Sequence, residues 1–330
     1  MPKKGKSGEK KLRKEKPLSC WIEKERLNGR IVDCLTIILR SRGCRWGKCL
    51  MCGFPRFSAG VEELKKQINF AFERARKKPE ILKIFTSGSF FDDEENPSSF
   101  REYVYDVAES RGIRKLIVES RPEFVFNCDA FNRDFELEVG IGLETSNDRI
   151  RDLCVNKGFS FDEYLEAARF LRDRGAGVRT YLLLKPPFLS EGEAIEDCLK
   201  SINDCAGVSK TVSINPVYIP RGSYIERLWN CGAYRPPWLW SAVEVLKRAY
   251  EVLSENYRIG YDLNLICDPV GAGSDRAPHN CGRCDKEVAE EIRTFSIRQE
   301  LVFEKRCECM DFWRRYIGYE RVARFNVLCL

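Results

Sequence analysis

Apolar residues along the chain alternate between short β-rich runs and longer stretches with apolar positions at helical spacing. The first run is Cys34 to Arg40 (CLTIILR); beyond a cysteine-bearing loop, the apolar positions of Val61 to Lys77 recur every three to four residues, as on one helix face. Ile81 to Thr86 (ILKIFT) precedes a helix near Phe100 to Ser110, Lys115 to Glu119 (KLIVE) a short helix after Pro122, and Glu136 to Leu143 (ELEVGIGL) a helix from Phe161 to Arg174. Gly177 to Leu184 (GVRTYLLL) and Thr211 to Tyr218 (TVSINPVY) complete the series, with a helix from Glu191 to Cys205 separating them. Six strand-then-helix units predict an α/β fold of parallel strands joined by right-handed crossovers. With no obvious closing pair, that is a TIM-like but partial (β/α)6 barrel. Functional residues are then expected just past the C-terminal ends of strands.

The rhythm ends near Tyr218. A Pro-containing linker at Tyr234 to Pro237 leads to a helix over Trp238 to Glu255 and a Cys-dense segment from Cys267 to Cys309. The expected organisation is a disordered basic arm at 1–16, the partial barrel at 17–235, and a helical, Cys-rich, metal-binding extension at 236–330.

The charge pattern sets the arm apart. Residues 1–16 hold eight Lys and Arg against Glu9 and Glu15; removing these from totals of 56 and 50 leaves 48 basic and 48 acidic residues in the body. A Gly-containing, low-apolar basic arm is expected to be disordered when free, and it suits either RNA contact or solubility. No stretch approaches the roughly 18 to 20 apolar residues that span a bilayer, and the N-terminus lacks the apolar core of a secretory signal. The expectation is a cytoplasmic protein with no membrane partner.

In a reducing compartment, 16 cysteines point to metal ligation or chemistry rather than to disulfides. Eight of them (Cys20, Cys34, Cys128, Cys154, Cys198, Cys205, Cys231 and Cys329) sit singly, as small hydrophobes do. Cys44, Cys49 and Cys52 form C-x4-C-x2-C directly after the first predicted strand, with Gly43 and Gly47 freeing the backbone to wrap around a cluster. Three cysteines on a four-iron cluster leave one iron open to a substrate or cosubstrate. The same spacing opens the plant-type ferredoxin pattern, whose fourth cysteine is absent until Cys128, and a structural zinc is a further reading.

A second constellation surrounds Cys281-Gly282-Arg283-Cys284. Cys267, Cys281 and Cys284 with one of His279, Cys307 or Cys309 would make a tetrahedral zinc site, and a second iron–sulfur cluster is the alternative. His279, the one histidine of the chain, serves equally as a ligand, a structural hydrogen-bonding group or an RNA contact.

From Cys34 to Tyr218 the chain resembles the radical S-adenosylmethionine (SAM) superfamily, in the group of the Elongator catalytic subunit and the MiaB-like tRNA-modifying enzymes. The resemblance implies a [4Fe–4S] cluster on Cys44, Cys49 and Cys52, with SAM on the open iron. Thr86-Ser87-Gly88-Ser89-Phe90 stands where the superfamily has a Gly-rich turn for the SAM amino group, and Glu119-Ser120-Arg121-Pro122 is similar to the Glu-Thr-Arg-Pro of Elongator-type proteins. Gly142-Leu143-Glu144-Thr145 ends the fourth strand; by resemblance Glu144 meets the SAM ribose hydroxyls and Lys157 faces the SAM carboxylate. Met51 departs from the aromatic residue that many relatives place near adenine, where a thioether also packs on a purine. Ser87, Gly88, Ser89, Glu119 and Asn215 complete the expected cofactor contacts. Arg179, Tyr181 and Lys185, which share strand parity, are the candidate catalytic residues.

A narrower resemblance rests on Thr36 to Gly53 (TIILRSRGCRWGKCLMCG), His279 to Cys284 (HNCGRC) and Phe295 to Glu300 (FSIRQE). These segments are similar to the radical SAM subunits of archaeosine synthases. That family implies tRNA as substrate, a lysine-transferring alpha subunit as partner, and an electron donor such as ferredoxin or flavodoxin. It also implies cleavage of the lysine adduct of 7-cyano-7-deazaguanine in the D-loop, a carbon–nitrogen lyase reaction. The competing readings are another Elongator-like or methylthiotransferase-like RNA modifier, and a noncatalytic metal-stabilised RNA-binding protein.

Overall fold

The computed structural model describes residues 14–54 and 56–323, and in it eight strands follow chain order in one sheet. β1 (Ser19–Leu27) pairs antiparallel with β2 (Arg30–Ile38). Asn28 and Gly29 join them with φ of 50° and 80°, the pair of left-handed residues that a tight two-residue hairpin requires. β2 then pairs in parallel with β3 (Ile81–Phe85), β3 with β4 (Lys115–Glu119), and β4 with β5 (Glu136–Glu144). β6 (Gly177–Leu184), β7 (Thr211–Pro216) and β8 (Asn264–Cys267) are likewise parallel.

The six strands expected from the hydrophobic pattern are β2 to β7. Two more strands extend the sheet: β1, and β8, which lies in the region expected as an extension. The helices are α1 (Val61–Arg74), α2 (Ser98–Ser110), α3 (Pro122–Val125), α4 (Asp148–Ile150), α5 (Phe161–Arg172), α6 (Glu191–Ala206), α7 (Tyr224–Asn230), α8 (Leu239–Ser254), α9 (Asp285–Arg298) and α10 (Cys309–Ala323). Among the described residues no helix is long and apolar enough to cross a membrane.

The chain forms two compact units. The first takes residues up to Arg45, Phe54–Ile141 and Leu165–Val178. Its central strands share one apolar face, on which Leu82, Ile84, Leu116, Val118, Val139 and Ile141 are fully buried, whereas the other face also carries charged groups. α1 turns Leu64, Ile68, Ala71 and Phe72 inward, and the rings of Phe90, Phe91, Phe100 and Tyr105 cluster with centroids 5.5 to 6.5 Å apart. Two lysines are buried on strands, each with its acid: Lys83 between Glu23 and Glu25 at 2.9 and 2.8 Å, and Lys115 against Glu138. Most of the predicted basic arm, residues 1–13, lies outside the described residues. Lys14 to Lys16 rest on α1, where the Lys14 carbonyl accepts from Gln67, Glu15 pairs with Lys66 and Lys16 lies over the Phe70 ring.

The second unit takes Trp46–Gly53, Gly142–Tyr164 and the chain from Arg179 onward. α6 begins at a capping box in which Ser190 and Glu193 bond each other's backbone N–H groups, and it buries Ala194, Ile195, Cys198, Ile202 and Cys205. α8 buries Leu239, Trp240, Val243, Leu246 and Leu253.

Candidate functional site

In the first unit, Cys44 follows β2 and its backbone N–H donates to the Ser87 carbonyl at 3.1 Å. Ser87 has a φ of 66°, and a Cβ at Gly88 would lie 2.1 Å from a Glu95 oxygen and 2.7 Å from the Cys44 nitrogen, so only glycine fits the turn. Glu95 holds the turn from behind: one carboxyl oxygen accepts from the Ser89 N–H at 2.6 Å, and the other meets the Ser41 hydroxyl at 2.5 Å. Burial lifts Glu95 from an ordinary 4.5 to about 7, so its neutral form is favoured here. The Ser89 hydroxyl accepts from the Arg121 N–H, and the Glu119 carbonyl from the Phe90 N–H. Ser87, Gly88, Ser89 and Glu119 therefore belong to one hydrogen-bonded corner at the ends of β3 and β4. Neither Ser41 nor Glu95 figures among the sequence candidates. The signal for Glu95 is the spacing in Asp92-Asp93-Glu94-Glu95, where Asp92 and Glu95, three apart, are buried and the middle two face solvent.

In the second unit, Cys49 and Cys52 lie on a turn closed by the Cys52 N–H donating to the Cys49 carbonyl. The segment after a π-helical turn (Arg151–Val155) grips this loop. Leu50 donates to the Val155 carbonyl, the Asn156 side chain to the Lys48 carbonyl at 3.0 Å, and the Trp46 indole to the Asn156 carbonyl at 2.7 Å. Asn156 and Gly158 are both left-handed, and a Cβ at Gly158 would meet the Trp46 ring at 2.3 Å. Cys44, Cys49 and Cys52 are partly accessible and stand in no disulfide, and Gly43 and Gly47 around the first of them have φ of 77° and 58°.

Glu144, at the end of β5 with a φ of 68°, forms an ion pair with Lys157. Gly142 makes that pair feasible, because a Cβ there would lie 2.6 Å from both the Glu144 oxygen and the Lys157 nitrogen. Thr145, the next residue, donates to Asp197 of α6, a carboxyl that burial raises to about 6.

The later strand ends distribute the remaining candidates. Arg179 is buried opposite Thr211 and Tyr181 half-buried opposite Ser213, on the same face of β6. Lys185 lies beyond the paired residues in left-handed backbone, with a φ of 67°, and its buried ammonium pairs with Glu191 at 2.7 Å. Strand parity therefore does not carry over to it. Glu191 also accepts from the Trp238 N–H and the Ser241 hydroxyl, and the Lys185 carbonyl accepts from Tyr234. Asn215 donates to the carbonyls of Ser213 and Leu182 at 3.1 and 3.4 Å, closing the strand ends.

Of the second metal constellation, Cys281 and Cys284 come together with both Cys307 and Cys309. Cys267 and His279 stand outside this group. Cys267 is a core residue of β8 whose N–H donates to Ser296, and burial pushes its thiol well up. His279 shares a hydrogen bond with the Ala277 carbonyl at 2.8 Å, and burial lowers its pKa.

Residues 38–201 match the radical SAM superfamily. The sequence is 40% identical over 320 residues to the archaeosine synthase subunit beta of Methanosarcina acetivorans, covering 92% of this chain and 90% of that one. It is 38% identical to the archaeosine synthase subunit beta of Thermococcus kodakarensis, covering 90% of this chain and 95% of that one. Among solved structures, a queuine lyase from Clostridium spiroforme bound to SAM and queuine shares the fold, with a TM-score of 0.51 at 20% identity over 74% of this chain and 94% of its own. Strand order, family match and near-full-length identity agree: the chain belongs to the radical SAM superfamily and, within it, to the family of archaeosine synthase beta subunits.

Proposed function

We propose that this protein is the lyase of archaeosine formation in tRNA, cleaving the carbon–nitrogen bond between a lysine side chain and the formamidine carried by 7-deazaguanine in the D-loop. The observation that carries this reading is the identity of 38–40% along at least nine-tenths of each chain with archaeosine synthase beta subunits of two archaea. Its partners are then tRNA, an alpha subunit that transfers the lysine, and an electron donor such as ferredoxin or flavodoxin.

In this reading Cys44, Cys49 and Cys52 hold a [4Fe–4S] cluster, whose remaining iron is left for SAM. Bound there, the cluster would supply the one-electron reduction of SAM that initiates radical chemistry on the lysine adduct. The protein's own task is positioning and exclusion of water. The corner of Ser87, Gly88 and Ser89 offers polar groups to the SAM amino group, fixed by Glu95 rather than by solvent. Glu144 accepts from the ribose hydroxyls in charge-assisted hydrogen bonds, and Lys157 keeps that carboxylate oriented while offering its ammonium to the SAM carboxylate. Arg179 and Tyr181 address the substrate. Lys185, neutralised by Glu191, fixes the turn after β6 and acts as a positioning residue.

The substrate is tested by mass spectrometry of tRNA from a strain lacking this protein. Accumulation of the lysine adduct is the expected result; normal archaeosine in that strain would remove the assignment.

A further inference from the structure

Four thiols of the second unit converge on one point. The sulfurs of Cys281, Cys284, Cys307 and Cys309 all lie within 4.8 Å of one another. Cys281 and Cys284 are 3.9 Å apart, Cys281 and Cys307 3.8 Å, and Cys284 and Cys309 3.6 Å. Four thiolates bound tetrahedrally to one zinc ion at a zinc–sulfur distance of about 2.3 Å stand about 3.8 Å from each other, the edge of that tetrahedron. A cuboidal four-iron cluster carries each thiolate on a different iron and spreads the sulfurs wider than one ion does.

The surroundings are built for a charged centre. A single carboxylate, Asp285 at the start of α9, fixes the knuckle from both sides, accepting from the Asn280 N–H at 2.8 Å and the Gly282 N–H at 2.7 Å. Gly282 has a φ of 85°, the left-handed turn that brings the two sulfurs of a C-x2-C pair to one side. N–H groups then point at the sulfurs: the Trp240 indole donates to Cys309 at 3.2 Å, the Asn280 amide to Cys284 at 3.4 Å, and the Arg283 guanidinium reaches Cys281. Zinc with four thiolates carries two net negative charges, and such donors offset them. Cys284 and Cys309 are buried while Cys281 is exposed, so one edge of the group faces solvent. All four ligand positions are filled by sulfur, leaving none for water or substrate, which is the pattern of a structural site rather than a catalytic one.

We infer that Cys281, Cys284, Cys307 and Cys309 bind one zinc ion, which pins the starts of α9 and α10 to Trp240 of α8. This site is independent of the proposed reaction and stands or falls apart from it. The test is metal analysis of the full chain, purified anaerobically, in a Cys44→Ala/Cys49→Ala/Cys52→Ala background that removes the other thiol trio. One zinc per chain and no iron is the expected content, retained in Cys267→Ser and His279→Ala and lost in Cys307→Ser/Cys309→Ser. Should the last variant fail to fold, two measurements on the otherwise intact chain replace it. A mercurial titration should release one zinc per chain, and cobalt exchange should give the intense visible bands of a tetrahedral tetrathiolate. Iron in place of zinc, zinc retained without Cys307 and Cys309, disulfides among these cysteines, or an absence of metal would each overturn the inference.

Discussion

Lys157 bonds Glu144 directly, and the bond exists because Gly142 leaves the space that both side chains need. Two residues expected separately to meet the ribose and the carboxylate of SAM thus form one preorganised unit. A Cβ at position 142 would press on both charged groups, and overpacking of this kind costs about 1–3 kcal/mol. Gly142→Ala is expected to weaken SAM binding about tenfold or more by that cost, and Glu144→Gln to weaken it as well, with the fold intact. Calorimetric titration of SAM measures both; unchanged affinity in the two variants would remove the role of the pair.

Gly158 and Gly175 offer a matched comparison. Both are left-handed, at φ of 76° and 84°, but a Cβ at Gly158 collides with the Trp46 ring whereas at Gly175 nothing lies within 4 Å. Alanine at either site is expected to cost about 1–2 kcal/mol of backbone strain. Gly158→Ala alone should displace Trp46, loosen the Cys49–Cys52 turn and lower the iron retained per chain after reconstitution. Equal iron in the two variants would contradict the clamp.

Buried Lys185 and Glu191 are each other's counter-charge. Removing one partner of such a pair leaves an unpaired buried charge and costs about 3–5 kcal/mol, whereas replacing both with apolar residues is often nearly neutral. Lys185→Met is therefore expected to lower the melting temperature more than Lys185→Met/Glu191→Met, as followed by thermal denaturation. A larger loss in the double variant would show that Glu191 matters chiefly through Trp238 and Ser241.

Burial holds Glu95 near 7 against an ordinary 4.5, and the sign of the pH effect follows. Below about 4.5 both folded and unfolded chains carry the proton and the group costs nothing; as pH rises toward 7 the unfolded chain ionises first, so stability falls by a few kcal/mol. Glu95→Gln keeps a neutral group able to meet Ser41 and Ser89, and should flatten the fall in melting temperature between pH 5 and 7. Asp197, raised to about 6, leaves a smaller residual slope of the same sign. A steeper slope in the variant would contradict this assignment.

The sheet and the cysteine loop were legible because both depend on local pattern: β2 to β7 and their helices repeat the period switch, and C-x4-C-x2-C is contiguous. The hairpin of β1 carried its own signal in Asn28-Gly29, but the charged run Glu23 to Arg26 masks the alternation, since two of its acids turn inward to Lys83. β8 spans four residues, too few for a period. The ligand group of Cys281 was only half legible. Cys267 stands closer in sequence than Cys307 or Cys309, but it lies in the apolar run Asn264 to Cys267 and is consumed by the core, whereas Cys307 and Cys309 return through the turn after α9. The choice of partners, Lys185 with Glu191 and Ser41 with Glu95, is made by folding and is not written in the sequence on either side of them.

The central claim, that Cys44, Cys49 and Cys52 arm a SAM-cleaving centre acting on modified tRNA, is tested most directly by single-turnover assay of the anaerobically reconstituted protein. Given reductant, SAM and tRNA bearing the lysine adduct, the expected result is 5′-deoxyadenosine formed together with archaeosine. A Cys44→Ala protein should form neither. No 5′-deoxyadenosine above that control, or its release with the adduct left intact, would contradict the account.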